Sequence, residues 1–210
     1  MAENQKNTSQ VSVWVKLAQV LPAIYLTLGI FYGGYYYVPE GVMPLPRDGD
    51  VSARLFYTLR CFLVPVAVLW AMIAKVGMDR GKVGALNPLA GREHLMLLGK
   101  KRLINTLEQM TIFAMQALCL TFLLEREEVK VIFLYSLVFV LGRILFWVGY
   151  GIDPMYRLLG SLMTLLSCGI VQGIAAYTVF SRHFLFSQWA ALSSSVSVPI
   201  FVLVLLPHVI

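Results

Sequence analysis

The chain has 210 residues, of which 59% are hydrophobic and only 13% charged, with a net charge of +6. Its apolar residues fall in runs of about 20, the length a helix needs to cross roughly 30 Å of hydrocarbon at 1.5 Å per residue. That pattern excludes a soluble globular domain. No nucleic-acid module, internal repeat or low-complexity tract stands out, so the basic balance speaks for membrane orientation and against nucleic-acid binding.

In chain order, spans are expected at 15–38, 55–77, 103–124, 129–150 and 156–181. A weaker sixth candidate at 184–207 is interrupted by Ser193, Ser194, Ser195, Ser197 and Pro199. Runs of Val, Leu, Ala and Phe at this length, without period-two alternation, suit helices and not barrel strands. The opening MAENQKNTSQ lacks the basic-then-apolar order of a signal peptide, so the first span is expected to stay as an anchor. Residues 1–14 then form a short cytosolic tail, 15–53 an added span and its loop, 54–183 a four-helix transmembrane domain, and 184–210 an apolar C-terminal segment. Cys61, Cys119 and Cys168 fall within apolar runs. They are expected as buried thiols, with neither a disulfide framework nor a zinc site.

Lys75, Arg80, Lys82, Arg92, Lys100, Lys101 and Arg102 cluster in and beside the loop between the second and third spans. The next loop, EREEVK, sets only Arg126 and Lys130 against three glutamates. By the positive-inside rule the 78–102 loop faces the cytosol. Counting spans outward from it places the N-terminus and the 151–157 turn in the cytosol as well, and the 39–54 loop on the lumenal or outer side.

The most informative residue is Arg143, inside the apolar segment VIFLYSLVFVLGRILFWVGY from Val131 to Tyr150. A charge at the centre of a spanning helix costs at least about 2.5 to 3.5 kcal/mol, so it needs a partner or a polar cavity. Glu108 and Asn105, in the preceding span, are the expected partners. Arg102, Asn105 and Glu108 recur every three residues and lie near one helix face, with Gln109 close by. Arg143, Phe146 and Tyr150 follow i, i+3, i+7 spacing, and Arg157 and Ser161 open the fifth span. Three helices thus bring polar side chains to one level, near the cytosolic side.

Two readings of that level stand side by side. In one, Glu108 and Arg143 form a buried ion pair that fixes helix register, with Asn105 as interhelical glue worth about 0.6 kcal/mol. In the other, Arg102, Arg143 and Arg157 outnumber Glu108 and leave an electropositive niche, suited to a small acidic ligand or to a thiolate. Tyr150 taken alone reads as an interfacial anchor.

The segments KKRLINTLEQ, with Asn105-x-x-Glu108, then GRILFWVGY, then Arg157-x-x-Gly160, resemble in that order the membrane-associated proteins in eicosanoid and glutathione metabolism (MAPEG). The resemblance covers about residues 90–181. It implies trimers of four-helix subunits that bind glutathione at subunit interfaces near the cytosolic face. On that resemblance Asn105 and Glu108 match glutathione-binding positions, with Lys101 and Arg102 beside them, and Arg143 and Tyr150 match a second pair of ligands. Arg157 resembles the arginine that stabilises the glutathione thiolate, a role suited to a side chain that does not deprotonate. The chain departs from the family pattern at Leu97 and Leu98, which replace an acidic-arginine pair, at Lys101, which replaces an arginine, and at Phe146, where tyrosine or histidine is common.

A longer resemblance, over about residues 20–181, is to the mattrin-like transmembrane branch of the same family. It rests on RLFYTLRC, from Arg54 to Cys61, with IFYGGYYYVPEGVMPLP upstream and RILFWVGY downstream. This branch accounts for the extra first span and implies a scaffold for trafficking or receptor regulation in the endoplasmic reticulum or Golgi. The expectation is therefore an all-α polytopic helix bundle of MAPEG type with an added N-terminal span, homotrimeric and surrounded by membrane lipids. It acts either as a glutathione-dependent transferase or peroxidase on a lipophilic substrate, or as a non-catalytic scaffold with a membrane receptor as partner. The orientation is checked by a glycosylation reporter: one near Gly84 should stay unmodified and one near Asp48 should be modified, and glycosylation at Gly84 would reverse the assignment.

Overall fold

The computed structural model describes residues 2–37, 39, 42, 44–46, 50–85 and 93–182. Its described residues form five α-helices, α1 (Ala2–Tyr37), α2 (Val51–Lys82), α3 (Leu97–Leu123), α4 (Lys130–Ile152) and α5 (Leu158–Arg182), with 3-10 turns at Glu93–Met96 and Pro154–Arg157. The expected sixth span at 184–207 lies outside the described residues. Helices α2 to α5, the last two turns included, supply four helices long and apolar enough to cross a membrane. The chain divides into two compact units, Met1–Cys168 and Gly169–Ile210. The described part of the second is the remainder of α5.

Local chemistry sets the helix ends. Asp50 caps α2, accepting from the Val51 N–H at 2.7 Å and from the Ser52 hydroxyl. These bonds, that to Ser52 foremost, hold its carboxyl below the ordinary carboxylate range, so the cap is charged at neutral pH. At the other end Arg80 and Lys82 complement the helix dipole, and Gly84, at φ 67°, turns the chain. Most of the basic stretch expected as a loop is therefore helical: α2 runs to Lys82 and helix resumes at Glu93. Long basic side chains allow this, because they reach water from the last turns of a spanning helix. The expected N-terminal tail is helical too, since α1 starts at Ala2.

Helix α1 lies along α4. Near one end of α4 the Gln19 amide donates to the Met155 carbonyl at 3.1 Å and accepts from the Leu159 N–H at 3.2 Å. Near the other, the Lys130 ammonium sits 4.0 Å from the Tyr35 ring centroid. The stretch of α1 between Gln19 and Tyr35 covers about 24 Å at 1.5 Å per residue, so this helix accompanies α4 over most of its length.

At the end away from the basic residues, α2 and α3 are tied together. The Arg54 guanidinium donates to the Leu124 carbonyl that closes α3, and the Thr58 and Thr121 hydroxyls share a buried hydrogen bond of 2.7 Å. Phe113 centres the core, its ring 4.6 to 5.3 Å from those of Phe62, Tyr135 and Phe139. The buried Tyr135 hydroxyl donates to Gln116 Oε1 at 2.6 Å and lies 3.2 Å from the Cys168 sulfur. Cys61 and Cys168 are buried as expected; Cys119 is instead exposed on the outer side of α3. Apolar patterning did not separate the two, since a lipid-facing thiol and a core thiol both sit in apolar surroundings.

Helices α4 and α5 cross at glycine. A Cβ at Gly160 would overlap the Phe146 backbone N–H and the Gly142 carbonyl, and one at Gly142 would lie 2.7 Å from Thr164 Cγ2. Small residues let the two backbones meet, which is the usual basis of close packing between helices in lipid. Gly160→Ala should lower stability in detergent by about 1 to 3 kcal/mol. Gly77→Ala, at a position with open space around it, should cause no loss; thermal unfolding that fails to separate the two would contradict this crossing.

Candidate functional site

The candidate site is built at the basic end of the bundle, where the N-terminal turns of α3, the C-terminal turns of α4 and the start of α5 meet. Arg143 is its centre and is only 1% exposed. Its guanidinium donates to Asn105 Oδ1 on α3 at 2.9 Å and to the Thr164 hydroxyl on α5. Thr164 is brought within reach by the glycine crossing. The arginine also packs 4.8 Å from the Phe146 ring centroid, and its Nε is buried without an acceptor.

The expected ion pair does not form within the chain. Glu108 is exposed and has no ion-pair partner among the described residues. The reason is angular: with Asn105 facing α4, a residue three positions later is turned by about 60° toward the outside of the bundle. Lys101 is exposed on the same helix. Arg143 therefore holds its charge on neutral oxygens alone.

A second layer is organised around Tyr150. Arg102 donates to the Tyr150 carbonyl at 2.7 Å, and its guanidinium lies 4.8 Å from the Tyr150 ring centroid and 6.0 Å from that of Trp147. Arg157, in the 3-10 turn before α5, approaches the same ring at 5.3 Å and the Tyr150 hydroxyl at 3.4 Å. Phe146 and Tyr150 meet edge to face at 5.6 Å, so a continuous aromatic ladder runs from Arg143 to the two outer arginines. Aromatic faces stabilise cations, yet two guanidinium groups on one ring also repel each other. An anion placed among them would relieve that repulsion.

Of the residues singled out from the sequence, the structure joins Asn105 to Arg143, and Arg102 and Arg157 to Tyr150. It leaves Lys101 and Glu108 on the outer side of α3. Sequence reasoning missed Thr164, Thr106 and Trp147. Thr164 carries a periodic signal, one helical turn beyond Gly160 on the same face, whereas Trp147 donates to the Thr106 hydroxyl at 3.0 Å and carries none.

A bundle of apolar spanning helices with a buried arginine and an arginine–tyrosine cluster at one end defines an intramembrane protein with a polar site at its boundary. The MAPEG family model matches residues 57–177, more than half of the chain, and the chain belongs to that family. It is an integral membrane protein. It is also similar to Transmembrane protein 79 of Bos taurus, with 23% identity over 150 residues, 71% of this chain and 37% of the relative. Transmembrane protein 79 of Mus musculus is 21% identical over 170 residues, 81% of this chain and 41% of the relative. The chain thus spans about two fifths of the length of these curated relatives. No solved structure matches it.

Replacing Asn105 by Leu removes one of the two acceptors of a buried cation and should destabilise the protein by about 1.5 to 3 kcal/mol. Adding Arg143→Met should recover most of that loss, because no orphaned charge remains. Thermal unfolding in detergent checks both; an Asn105→Leu variant as stable as the wild type would show that the bond between α3 and α4 contributes nothing.

Proposed function

We propose that the chain binds glutathione at the arginine–tyrosine cluster and uses it on a lipophilic substrate that reaches the site from the bilayer. One observation carries this reading: three arginines converge along one aromatic ladder, and none of them forms an ion pair among the described residues. The buried, unpartnered Arg143 Nε supports the fit of an acidic ligand. When bound, glutathione would supply a nucleophilic sulfur for conjugating or reducing an electrophile.

The chain's own residues divide the work. Arg102 and Arg143, with Lys101, recognise carboxylates, and Glu108 recognises an ammonium. Asn105 holds the Arg143 guanidinium in place, and Tyr150 positions Arg157, whose permanent charge favours a thiolate beside it. The exposure of Glu108 and Lys101 on α3 fits a homotrimer, because a carboxylate turned toward lipid is costly and a neighbouring subunit would cover it. The secretory pathway is the proposed compartment.

A second reading has its own observation. The polar groups of Arg143 are largely met by Asn105 and Thr164, a network that would fix helix register in a non-catalytic scaffold for trafficking or receptor regulation. Ligand-induced stabilisation separates the readings, since binding contributes RT ln(1 + [L]/Kd), about 1.4 kcal/mol at ten times Kd. Purified protein should unfold at higher temperature in about 10 mM glutathione, and Arg143→Met or Glu108→Gln should weaken the effect. A folded wild-type sample that shows no shift would leave the scaffold reading standing.

A further inference from the structure

A second polar feature lies at the basic end but outside the glutathione set proposed above, Arg102 excepted. A cavity of about 520 Å³ opens between the C-terminal turns of α2, the start of α3 and the outer turns of α4. Its volume falls in the range of small-molecule sites, roughly 300 to 1,000 Å³. Three cations line it, Lys75, Lys82 and Arg102, against one acid, Asp79. That acid is already committed, with both its oxygens 2.5 to 2.6 Å from the Lys75 ammonium. Lys82 forms no ion pair among the described residues, and Arg102 Nε is buried without an acceptor.

The apolar part of the lining has two zones. Val76 and Met96 are buried and form the floor, with Trp147 packed against them. Leu95, Leu98 and Val148, at the mouth, are 44 to 55% exposed. Cations at the basic end of the spanning helices beside an exposed apolar rim match a molecule with an anionic head and acyl chains. A freely soluble anion would have no use for the rim.

We propose that this cavity binds the headgroup of an anionic phospholipid that carries a phosphate monoester, drawn from the leaflet at the basic end. The charge balance selects the monoester. Three cations less one carboxylate leave two positive charges, and a phosphate monoester carries about −1.5 to −2 at neutral pH. A zwitterionic lipid would leave that excess unmet. Arg102 is pre-oriented for the task, because its hydrogen bond to the Tyr150 carbonyl and its place against two aromatic rings fix the guanidinium plane.

The test is thermal unfolding of the full chain in detergent with three additives: a short-chain phosphatidylinositol monophosphate, a short-chain phosphatidylcholine, and the free inositol phosphate headgroup. The monophosphate lipid should stabilise the protein in a saturable way, and phosphatidylcholine and the free headgroup at equal concentration should not. The double variant Lys75→Gln, Lys82→Gln removes only exposed lysines and should weaken the lipid effect at least about tenfold, given about fivefold per basic residue near a membrane surface. Equal stabilisation by phosphatidylcholine, or wild-type affinity in the double variant, would overturn the proposal. Binding of the free headgroup as tightly as the lipid would overturn the lipid as its source.

Discussion

The burial of Arg143 among apolar helices is the constraint on which the rest of the structure depends. A guanidinium removed from water must be hydrogen-bonded from several directions, and no single neighbouring helix can provide that. Here α3 provides the Asn105 carbonyl and α5 the Thr164 hydroxyl. The arginine thereby couples three helices at one level and makes their relative rotation specific. Apolar side chains in lipid, which drive association only weakly, would leave that rotation loosely defined.

This coupling requires close helices, and glycine supplies the closeness. With Gly142 and Gly160 at the crossing, α5 approaches α4 near enough for a threonine, a short side chain, to reach the arginine. The same crossing carries the 3-10 turn of Arg157 over the end of α4, where Gly149 meets the Tyr156 carbonyl. Tyr150 consequently receives two arginines, Arg102 and Arg157. The two proposed ligand sites share this scaffolding and meet at Arg102, which touches Tyr150 on one side and lines the α2–α3–α4 cavity on the other.

The spans were legible because lipid imposes a length and an apolarity that sequence displays directly. The expected 129–150 and 156–181 match α4 and α5 to within about two residues, the uncertainty of any helix boundary. Boundaries failed where charge was read as loop, at the ends of α2 and α3, since apolar content reports hydrocarbon depth and not where a helix stops. The level of the site was legible as well, from the periodic placing of Asn105, Arg143 and Tyr150. The pairing was not. Spacing shows that Asn105 and Glu108 share a face broadly, and it takes the rotation of α3 against α4 to decide that Asn105 turns inward and Glu108 outward. Thr164 shares the Gly160 face by spacing, and the glycine crossing is what brings that face to Arg143.

The central claim is that the arginine cluster is completed by an anionic ligand and not by a carboxylate of the protein. An experimental structure of the full chain in lipid nanodiscs, determined with and without glutathione, tests this most directly. The account predicts glutathione density among Arg143, Tyr150 and Arg157 when the ligand is present, with Arg143 held by Asn105 and Thr164 in both states. Arg143 in an ion pair with a Glu108 carboxylate, from its own or a neighbouring subunit, and unchanged by glutathione, would contradict it.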